Sequence, residues 1–298
     1  MSFFTDYEKH VSEREKEGVP PLALNAKQTS EICELMRLAG GDEKAQNELK
    51  FLINLLTNRV NPGVDDAAKI KEEFLGEVID GLKIDGLDAV RAIKILGKML
   101  GGYNVEILVR ALKNSDETIA QAAANELKNI ILVHEHFDEI AKLASSNKFA
   151  KEVLLSWANA EWFTHKKPLD ECINAVVFKV PGETNTDDLS PASEAYTRAD
   201  IPLHAKAMLV KKMPEGLKIL QELKSLGKSV AYVGDVVGTG SSRKSGINSI
   251  QWHLGDEIEG VPNKKTGGIV IGTTIAPIFF NTAEDSGALP IVANINEL

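Results

Sequence analysis

The sequence predicts an all-helical solenoid followed by an α/β domain, within one chain of 298 residues. Apolar residues recur at helical spacing through the first part of the chain. Short segments rich in β-branched residues alternate with helix-like segments through the last part. The pattern changes near Lys167-Pro168, and we therefore predict two domains, residues 1–168 and residues 169–298.

The first domain is predicted from amphipathic segments that glycine and proline separate. Within residues 43–57, apolar side chains recur every three or four positions, as on one face of a helix, at Leu49, Leu52, Ile53 and Leu56. Further helices are predicted at residues 87–100, 105–113, 116–132, 136–145 and 149–164. Because the connections are short, neighbouring helices should pack antiparallel, and successive pairs should stack as an irregular solenoid.

The second domain is predicted from three short apolar segments that are typical of buried strands. These strands are predicted at residues 174–180, 229–234 and 268–272. Helix-like segments lie between them along the chain, at residues 203–210, 217–226 and 243–253. Strands that alternate with helices indicate an α/β domain.

Composition and charge narrow the classes of function. The formal net charge of -9 argues against broad binding to nucleic acid, because a phosphate backbone favours a basic surface. No segment approaches the ~18 apolar residues of a membrane span, and the first residues lack the features of a signal peptide. Cys33 and Cys172 match no metal-ligand spacing, so we expect free thiols, no metal site and a cytoplasmic protein.

A glycine-rich segment at residues 234–245 leaves a predicted strand and enters a predicted helix. Its glycines let the backbone approach a ligand, and N–H groups at a helix start attract anions. Ser241 and Ser242 add hydroxyl groups, and Arg243 adds a planar guanidinium that suits a carboxylate. The segment fits neither a P-loop nor a dinucleotide fingerprint. A plain glycine turn with a serine cap is the alternative.

Two further polar segments are candidates for the same domain. Residues 182–192 follow a predicted strand and contain Asp187 and Asp188, which are suited either to orienting a reacting group or to forming an Asx turn. Arg198 precedes a predicted helix, where it is either a ligand-binding residue or an ordinary surface charge. The pattern of residues alone leaves both alternatives open.

Several of these segments together resemble the aconitase B family. The swivel domain of that family is similar to VFKVPGETNTDDLSPA at 177–192, YVGDVVGTGSSRKS at 232–245 and IAPIFFNTAEDSGALP at 275–290. Its helical HEAT-like domain is similar to LLTNRVNPGVD at 55–65, GGYN at 101–104 and SWANAEWF at 156–163. The resemblance therefore implies a HEAT-like helical solenoid followed by an α/β swivel domain, of the kind found in the small subunit of isopropylmalate isomerase.

The resemblance also implies an activity and a set of site residues. The family is a group of lyases of the tricarboxylic acid cycle, which interconvert citrate and isocitrate through cis-aconitate, and some members hydrate 2-methylaconitate. By this resemblance Ser241 is the catalytic base, Ser242 and Arg243 bind substrate, and Arg198 is a further substrate-binding arginine. Asp187 falls on an acidic active-site group of the wider aconitase family.

The sequence departs from the family's pattern at the residues that bind the cofactor. The resemblance implies a [4Fe-4S] cluster that three cysteines hold in later domains, and Cys33 and Cys172 fall on no ligand position. Relatives also continue with further strands beyond the equivalent of Leu298, so the swivel domain is expected to be incomplete here. We therefore expect an amino-terminal piece of a longer or split enzyme that is inactive alone and binds no cluster.

Other roles stay open at this point. The resemblance implies dimerisation through the helical domain and messenger RNA binding by the cluster-free protein, which makes an interaction module the alternative function. A third interpretation is a free-standing subunit that pairs with a separate cluster-bearing chain. The expected partners are thus the tricarboxylate substrate, the remaining catalytic domains, a second copy and messenger RNA, without a membrane.

Overall fold

The structure, a computed structural model, describes residues 3–39, 43–166 and 168–296. Its contacts divide the chain into two compact units. The helical unit consists of Met1–Thr5, Ala23–Leu169 and Glu259–Pro262. The α/β unit consists of Asp6–Leu22, Asp170–Ile258 and Asn263–Leu298. The division into domains at residues 168 and 169 stays a prediction.

The helical part of the chain contains ten α-helices and one 3₁₀ helix among the described residues. The α-helices are α1 (Phe3–Lys16), α2 (Ala26–Leu38), α3 (Glu43–Asn58), α4 (Asp66–Ile79), α5 (Ala89–Gly97), α6 (Val105–Leu112), α7 (Glu117–Leu127), α8 (Phe137–Leu143), α9 (Lys148–Ala158) and α10 (Glu161–Thr164). The 3₁₀ helix is His134–His136. Most of α1 belongs to the α/β unit.

Side-chain caps fix where many of these helices begin. Each cap is an Asp or Asn whose side chain accepts a hydrogen bond from an N–H group two or three residues ahead. The capping residues are Asn25, Asp65, Asp88, Asp116 and Asn147. The caps satisfy N–H groups that otherwise lack a partner within the helix.

In the α/β unit, the predicted helix at residues 203–210 is helical only to Ala205. Two predicted helices of the helical part of the chain also differ from the structure. The segment 149–164 forms α9 and α10 rather than one helix, because Ala160 has a left-handed backbone with φ of 53°. The segment 116–132 is helical only to Leu127, the last residue of α7. In both cases the apolar spacing continues past the point where the backbone leaves the helix.

Apolar side chains between adjacent helices form the core of the helical unit. α2 packs against α4, α4 against α5, and both α5 and α6 against α7. The fully buried side chains include Leu56, Phe74, Leu75, Ile93 and Leu108. The predicted all-helical region is thus present, whereas its HEAT-like stacking stays a prediction. Within the described residues no helix is both long enough and apolar enough to cross a membrane.

The α/β unit is built on strands that alternate with helices, as the sequence predicts. The strands are β1 (Ala175–Asn185), β2 (Ser229–Thr239), β3 (Asp256–Ile258), β4 (Val261–Thr266), β5 (Ile269–Ile275) and β6 (Leu289–Val292). The helices are α11 (Thr186–Leu189), α12 (Ile201–Ala205), α13 (Gly216–Lys224), α14 (Arg243–Leu254) and α15 (Pro277–Asp285). A 3₁₀ helix, Ala192–Thr197, precedes α12.

Four strands form a parallel sheet in the order β1-β2-β5-β6. Parallel neighbours need crossover connections, which the helices provide. Phe178, Tyr232 and Phe279 lie in the main core of this unit, which forms between the sheet and its helices. The register pairs Asn185 with Thr239, so β1 and β2 end side by side. The segments that follow these two strands are therefore brought together.

Candidate functional site

The candidate site lies at the carboxyl ends of β1 and β2. α11 begins directly after β1, and residues 240–242 connect β2 to α14. Ligands of open parallel sheets bind outside the carboxyl ends of the strands. The glycine-rich segment and the Asp187 segment, which are far apart in sequence, thus lie at the same edge of the sheet.

Asn185 and Asp188 form a capping box that starts α11. The Asn185 side chain accepts hydrogen bonds from the N–H groups of Asp187 and Asp188, at 2.9 and 2.8 Å. The Asp188 carboxylate accepts the N–H group of Asn185 at 3.0 Å. Oδ1 of the exposed Asp187 accepts the N–H group of Ala192 at 2.7 Å. Asp188 thus has a local structural role, whereas Asp187 also presents a carboxylate at the surface.

The turn between β2 and α14 requires glycine at two positions. Gly238 has φ of 84°, and a Cβ atom there would lie 2.1 Å from the Phe279 ring. Gly240 has φ of 106°, and a Cβ atom there would lie 2.5 Å from Thr186 Oγ1. The same hydroxyl oxygen accepts the N–H group of Ser242 at 3.1 Å. Close packing against Thr186 therefore sets the path of the backbone into α14.

Ser241 and Ser242 occupy different environments within this turn. Ser241 is exposed, between the end of β2 and the start of α14. Ser242 is half-buried, and its Oγ accepts a hydrogen bond from Arg198 Nη2 at 2.9 Å. The Ser242 side chain makes no capping bond to α14. The positive end of this helix is consequently left without a side-chain cap from Ser242.

Two arginines accompany this helix start. Arg198 and Arg243 are both half-buried. Their Nε atoms are buried and have no hydrogen-bond partner among the residues that the structure describes. An unsatisfied buried donor costs about 1–3 kcal/mol, and more when the group is charged. Guanidinium groups bind carboxylates through two parallel hydrogen bonds, so this arrangement suits an anionic ligand.

His204, which sequence reasoning did not single out, braces the loop that carries Arg198. Its Nε2 is hydrogen-bonded to Ser190 Oγ at 2.7 Å, and its Nδ1 to Thr197 Oγ1 at 2.8 Å. The imidazole is 2% exposed, and burial lowers its pKa. A neutral ring that donates at one nitrogen and accepts at the other fits both hydroxyl groups.

A second brace joins α1 to the start of α12. Arg14 donates to both carboxylate oxygens of Asp200, at 2.7 and 2.9 Å. Arg14 also donates to the carbonyl oxygen of Pro20 at 2.9 Å. Asp200 lies two residues after Arg198, so this bidentate pair fixes the backbone next to the candidate site. No sequence signal predicts the pair, because 186 positions separate its members.

The chain's own residues do not fit the ligand set of an iron–sulfur cluster. Cys33 is buried, and burial raises its pKa to about 12, which disfavours the thiolate that binds iron. Cys172 is exposed and belongs to the other unit. Among the described residues, no group of three or more His, Cys, Asp or Glu side chains is placed to hold a metal ion.

Two family models match the chain, one in each part. The model described as "Aconitate B N-terminal domain" matches residues 6–163. The model described as "Aconitate hydratase 2 N-terminus" matches residues 175–298. The first of these alone covers more than half of the chain.

Curated relatives agree with these models. Aconitate hydratase B of Helicobacter pylori is 55% identical over 297 residues, which cover 99% of this chain and 34% of that protein. The Synechocystis protein of the same name is 53% identical, with 98% and 33% covered, and the Escherichia coli protein is 47% identical, with 98% and 34% covered. The chain spans about one third of the length of these relatives. It therefore belongs to the aconitate hydratase B family and corresponds to the amino-terminal region of that family.

Proposed function

We propose that the chain supplies one wall of a tricarboxylate site, in a hydro-lyase that interconverts citrate and isocitrate through cis-aconitate. Family membership supports the reaction class. The observation that carries the site is the pair of guanidinium groups, Arg198 and Arg243, whose buried Nε atoms lack partners among the described residues. A substrate with three carboxylates supplies the missing acceptors.

The two arginines and Ser242 are assigned to substrate binding. Arg243 occupies the first position of α14, where the helix dipole adds to its charge. Arg198 reaches the same turn from a different segment, through its hydrogen bond to Ser242 Oγ. Each guanidinium holds one carboxylate and so fixes the orientation of the carbon chain between them.

Ser241 is assigned as the base that removes a proton from the substrate carbon. A serine hydroxyl is a weak base, so its alkoxide needs stabilisation before the proton is transferred. Its position before α14 supplies partial positive charge, and neighbouring Arg243 adds a full charge. The proton passes from carbon to Ser241 Oγ. Asp187, whose carboxylate is exposed, is assigned as an acidic group of the same site.

The cluster that the family implies is assigned to residues outside this chain. The buried Cys33 and the exposed Cys172 do not form its ligand set. The chain alone should therefore show no aconitase activity. After reconstitution with iron and sulfide, no stoichiometric cluster should appear in the visible absorbance spectrum. Retained cluster with citrate turnover would contradict this assignment.

A chimera tests the proposed base. This chain replaces the corresponding region of the Helicobacter pylori relative, which is 55% identical to it. Ser241→Ala should lower kcat about a hundredfold with little change in KM, because the base acts in the transition state. Ser193→Ala, at an exposed serine outside the turn, is the matched control and should keep normal turnover. Near-normal kcat in Ser241→Ala would exclude Ser241 as the base.

Substrate binding is tested on the chain itself by calorimetric titration with tricarballylate, a citrate analogue without the hydroxyl group. Arg243→Lys should weaken binding about tenfold, since a point charge replaces a two-pronged donor. Lys244→Gln removes a charge from the adjacent exposed position and should change affinity less than threefold. Equal losses in both variants would indicate a general effect of charge and no carboxylate site.

Self-association through the helical unit is a second proposal. Leu132, Leu155 and Phe163 are large apolar side chains that are 69%, 53% and 63% exposed, and a second copy of the chain that covers them would bury this apolar surface. Light scattering should give a dimer that Leu155→Ser weakens, whereas a monomer at all concentrations would exclude it. Binding of messenger RNA, pairing with a separate cluster-bearing chain and a cytoplasmic location stay predictions. A filter-binding titration against salt tests the first of these.

A further inference from the structure

A cavity of about 370 Å³ lies in the helical unit, beside α4 and α5. Four basic and two acidic side chains line it, namely Lys71, Arg91, Lys94, Lys98, Glu126 and Glu259. The cavity belongs to the helical unit alone and contains none of the residues assigned to the tricarboxylate site. A volume of this size accommodates a small molecule.

Lys71, on α4, is the most unusual of these residues. It is 2% exposed, and its Nζ donates to the carbonyl oxygen of Thr57 at 3.1 Å. That carbonyl is its one hydrogen-bond partner among the described residues. An ammonium group has three donors, and a buried charge without an opposite charge is costly. Burial accordingly lowers the pKa of Lys71 to about 8.

α5 presents a row of positive charge to the same cavity. Arg91 and Lys94 on α5, and Lys98 directly after its end, are three and four positions apart, so they lie along one face of the helix. Like charges at this spacing destabilise a helix when nothing neutralises them. Arg91 donates to the carbonyl oxygen of Gly86, and Lys98 forms a 3.1 Å ion pair with Glu259. Lys94 has no ion pair among the described residues.

The two carboxylates of the cavity do not neutralise this charge. Glu259 is already paired with Lys98 and neutralises that charge alone. Burial raises the pKa of Glu126, although Lys98 and Lys94 lower it in part. Four cationic groups thus face two carboxylates, which leaves an excess of two positive charges in the lining.

We propose that this cavity binds a compact anion with two or more negative charges, either inorganic phosphate or a small dicarboxylate. Lys71 supplies a buried point charge with two free N–H donors, and Lys94 and Arg91 contact the anion from the side of α5. The ligand supplies the hydrogen-bond acceptors that Lys71 lacks. Its negative charge also reduces the repulsion among Arg91, Lys94 and Lys98.

Calorimetric titration of the chain at fixed ionic strength tests the proposal, with inorganic phosphate in one series and malonate in the other. Saturable binding is expected in at least one series, and the stronger series identifies the source of the anion. Lys71→Met keeps an apolar stem of similar length and should weaken binding at least tenfold. Lys69→Met, at an exposed position of the same helix, should change it less than twofold.

Two further variants remove the remaining ambiguities. Arg243→Gln disables the proposed tricarboxylate site, so loss of binding in this variant alone would assign the anion there and overturn the proposal. Lys94→Gln, at an exposed position, should weaken binding about threefold without a change in the core. Absence of saturable binding in both series, or equal binding by the wild-type chain and Lys71→Met, would also overturn it.

Discussion

The helix caps of the helical unit and the bonds that brace the candidate site of the α/β unit span very different distances in sequence. In the helical unit, capping residues such as Asp88 and Asp116 bind N–H groups two or three positions ahead. In the α/β unit, the bonds around the candidate site join Arg14 to Asp200, Arg198 to Ser242 and Thr186 to Ser242, across 186, 44 and 56 positions. Hydrogen bonds between residues close in sequence set where single helices begin, whereas those between residues far apart in sequence hold the candidate site together.

The start of α14 shows this difference at one position. Ser242 stands where Asp or Asn caps the helices of the helical unit, yet its hydroxyl group accepts a hydrogen bond from Arg198 instead of an N–H group of the helix. We propose that its role is to position Arg198, which leaves the N–H groups at the start of the helix open to an anionic ligand. We therefore expect removal of the Arg14–Asp200 pair to cost more stability than removal of a local cap, and removal of the Ser242 hydroxyl group to affect ligand binding more than stability.

The largest effect is expected from Arg14→Met. The variant leaves Asp200, whose side chain is 16% exposed, without its bidentate partner, and the loss of one member of a buried pair costs about 3–5 kcal/mol. Hydrogen-exchange mass spectrometry should show faster exchange in α12 and α14 and little change in α4 to α7. Lys16→Met, at an exposed position of α1, is the control and should exchange like the wild-type chain.

Lys71→Met, in the helical unit, should stabilise the fold, in contrast to Arg14→Met in the α/β unit. Folding lowers the pKa of Lys71 from 10.5 to about 8, so the charged form destabilises the fold below pH 8 and this cost disappears above pH 10.5. After the lost bond to Thr57 is subtracted, the variant should be about 2 kcal/mol more stable at pH 7. Urea unfolding should show that this gain shrinks by pH 10. An equal gain at both pH values would contradict the burial effect.

His204→Gln should destabilise the α/β unit by about 1–3 kcal/mol, because Ser190 and Thr197 lose a buried partner. The pKa of His204 is lowered by burial, so its contribution to stability is present above pH 6.5 and is lost as the pH falls below that value. The wild-type chain should therefore lose its advantage over the variant in acid. His165→Gln, at an exposed histidine of the helical unit, is the control and should change the free energy of unfolding little.

The smallest expected effects on stability are those of Asp116→Ala, which removes a helix cap, and Ser242→Ala, which removes a residue that positions Arg198. Asp116→Ala should lower the free energy of unfolding by about 1 kcal/mol, as expected for the loss of a helix cap. Ser242→Ala should lower it less, yet should weaken tricarballylate binding, because the variant removes the acceptor that holds Arg198. Thermal unfolding and calorimetry together measure both quantities. If Ser242→Ala destabilises like Asp116→Ala and binds normally, Ser242 is an ordinary cap.

The parts that sequence predicts well depend on neighbours along the chain. Apolar spacing located α3 and the strands β1, β2 and β5, because helix and strand periodicity repeat within one segment. The same periodicity missed β6, since Leu289–Val292 is short and contains a proline. It also ran through the left-handed Ala160, where no local residue type announces the break.

The residues of the candidate site also fall into two groups, those that a single segment of sequence predicts and those that it does not. The glycine-rich turn was visible because Gly238 and Gly240 have positive φ, a backbone conformation that favours glycine whatever its distant neighbours. The residues that brace Arg198 were not visible. His204 follows an ordinary Ile-Pro-Leu segment, and Arg14 is one basic residue among several in α1. Only the parallel sheet brings such residues to the strand ends, and pairing between distant strands is not encoded in any single segment.

The bond between Arg14 and Asp200 bears on how the chain is made. The α/β unit takes up residues 6–22, which leave the ribosome before the helices that follow them, and residues from 170 onward. Its amino-terminal segment must wait for about 180 later residues before its partner exists, and closing so long a loop is entropically slow. The intervening helices contact mainly their sequence neighbours and can fold during that interval. Removing the first 22 residues would therefore damage the carboxyl-terminal unit rather than the helices that follow them in sequence.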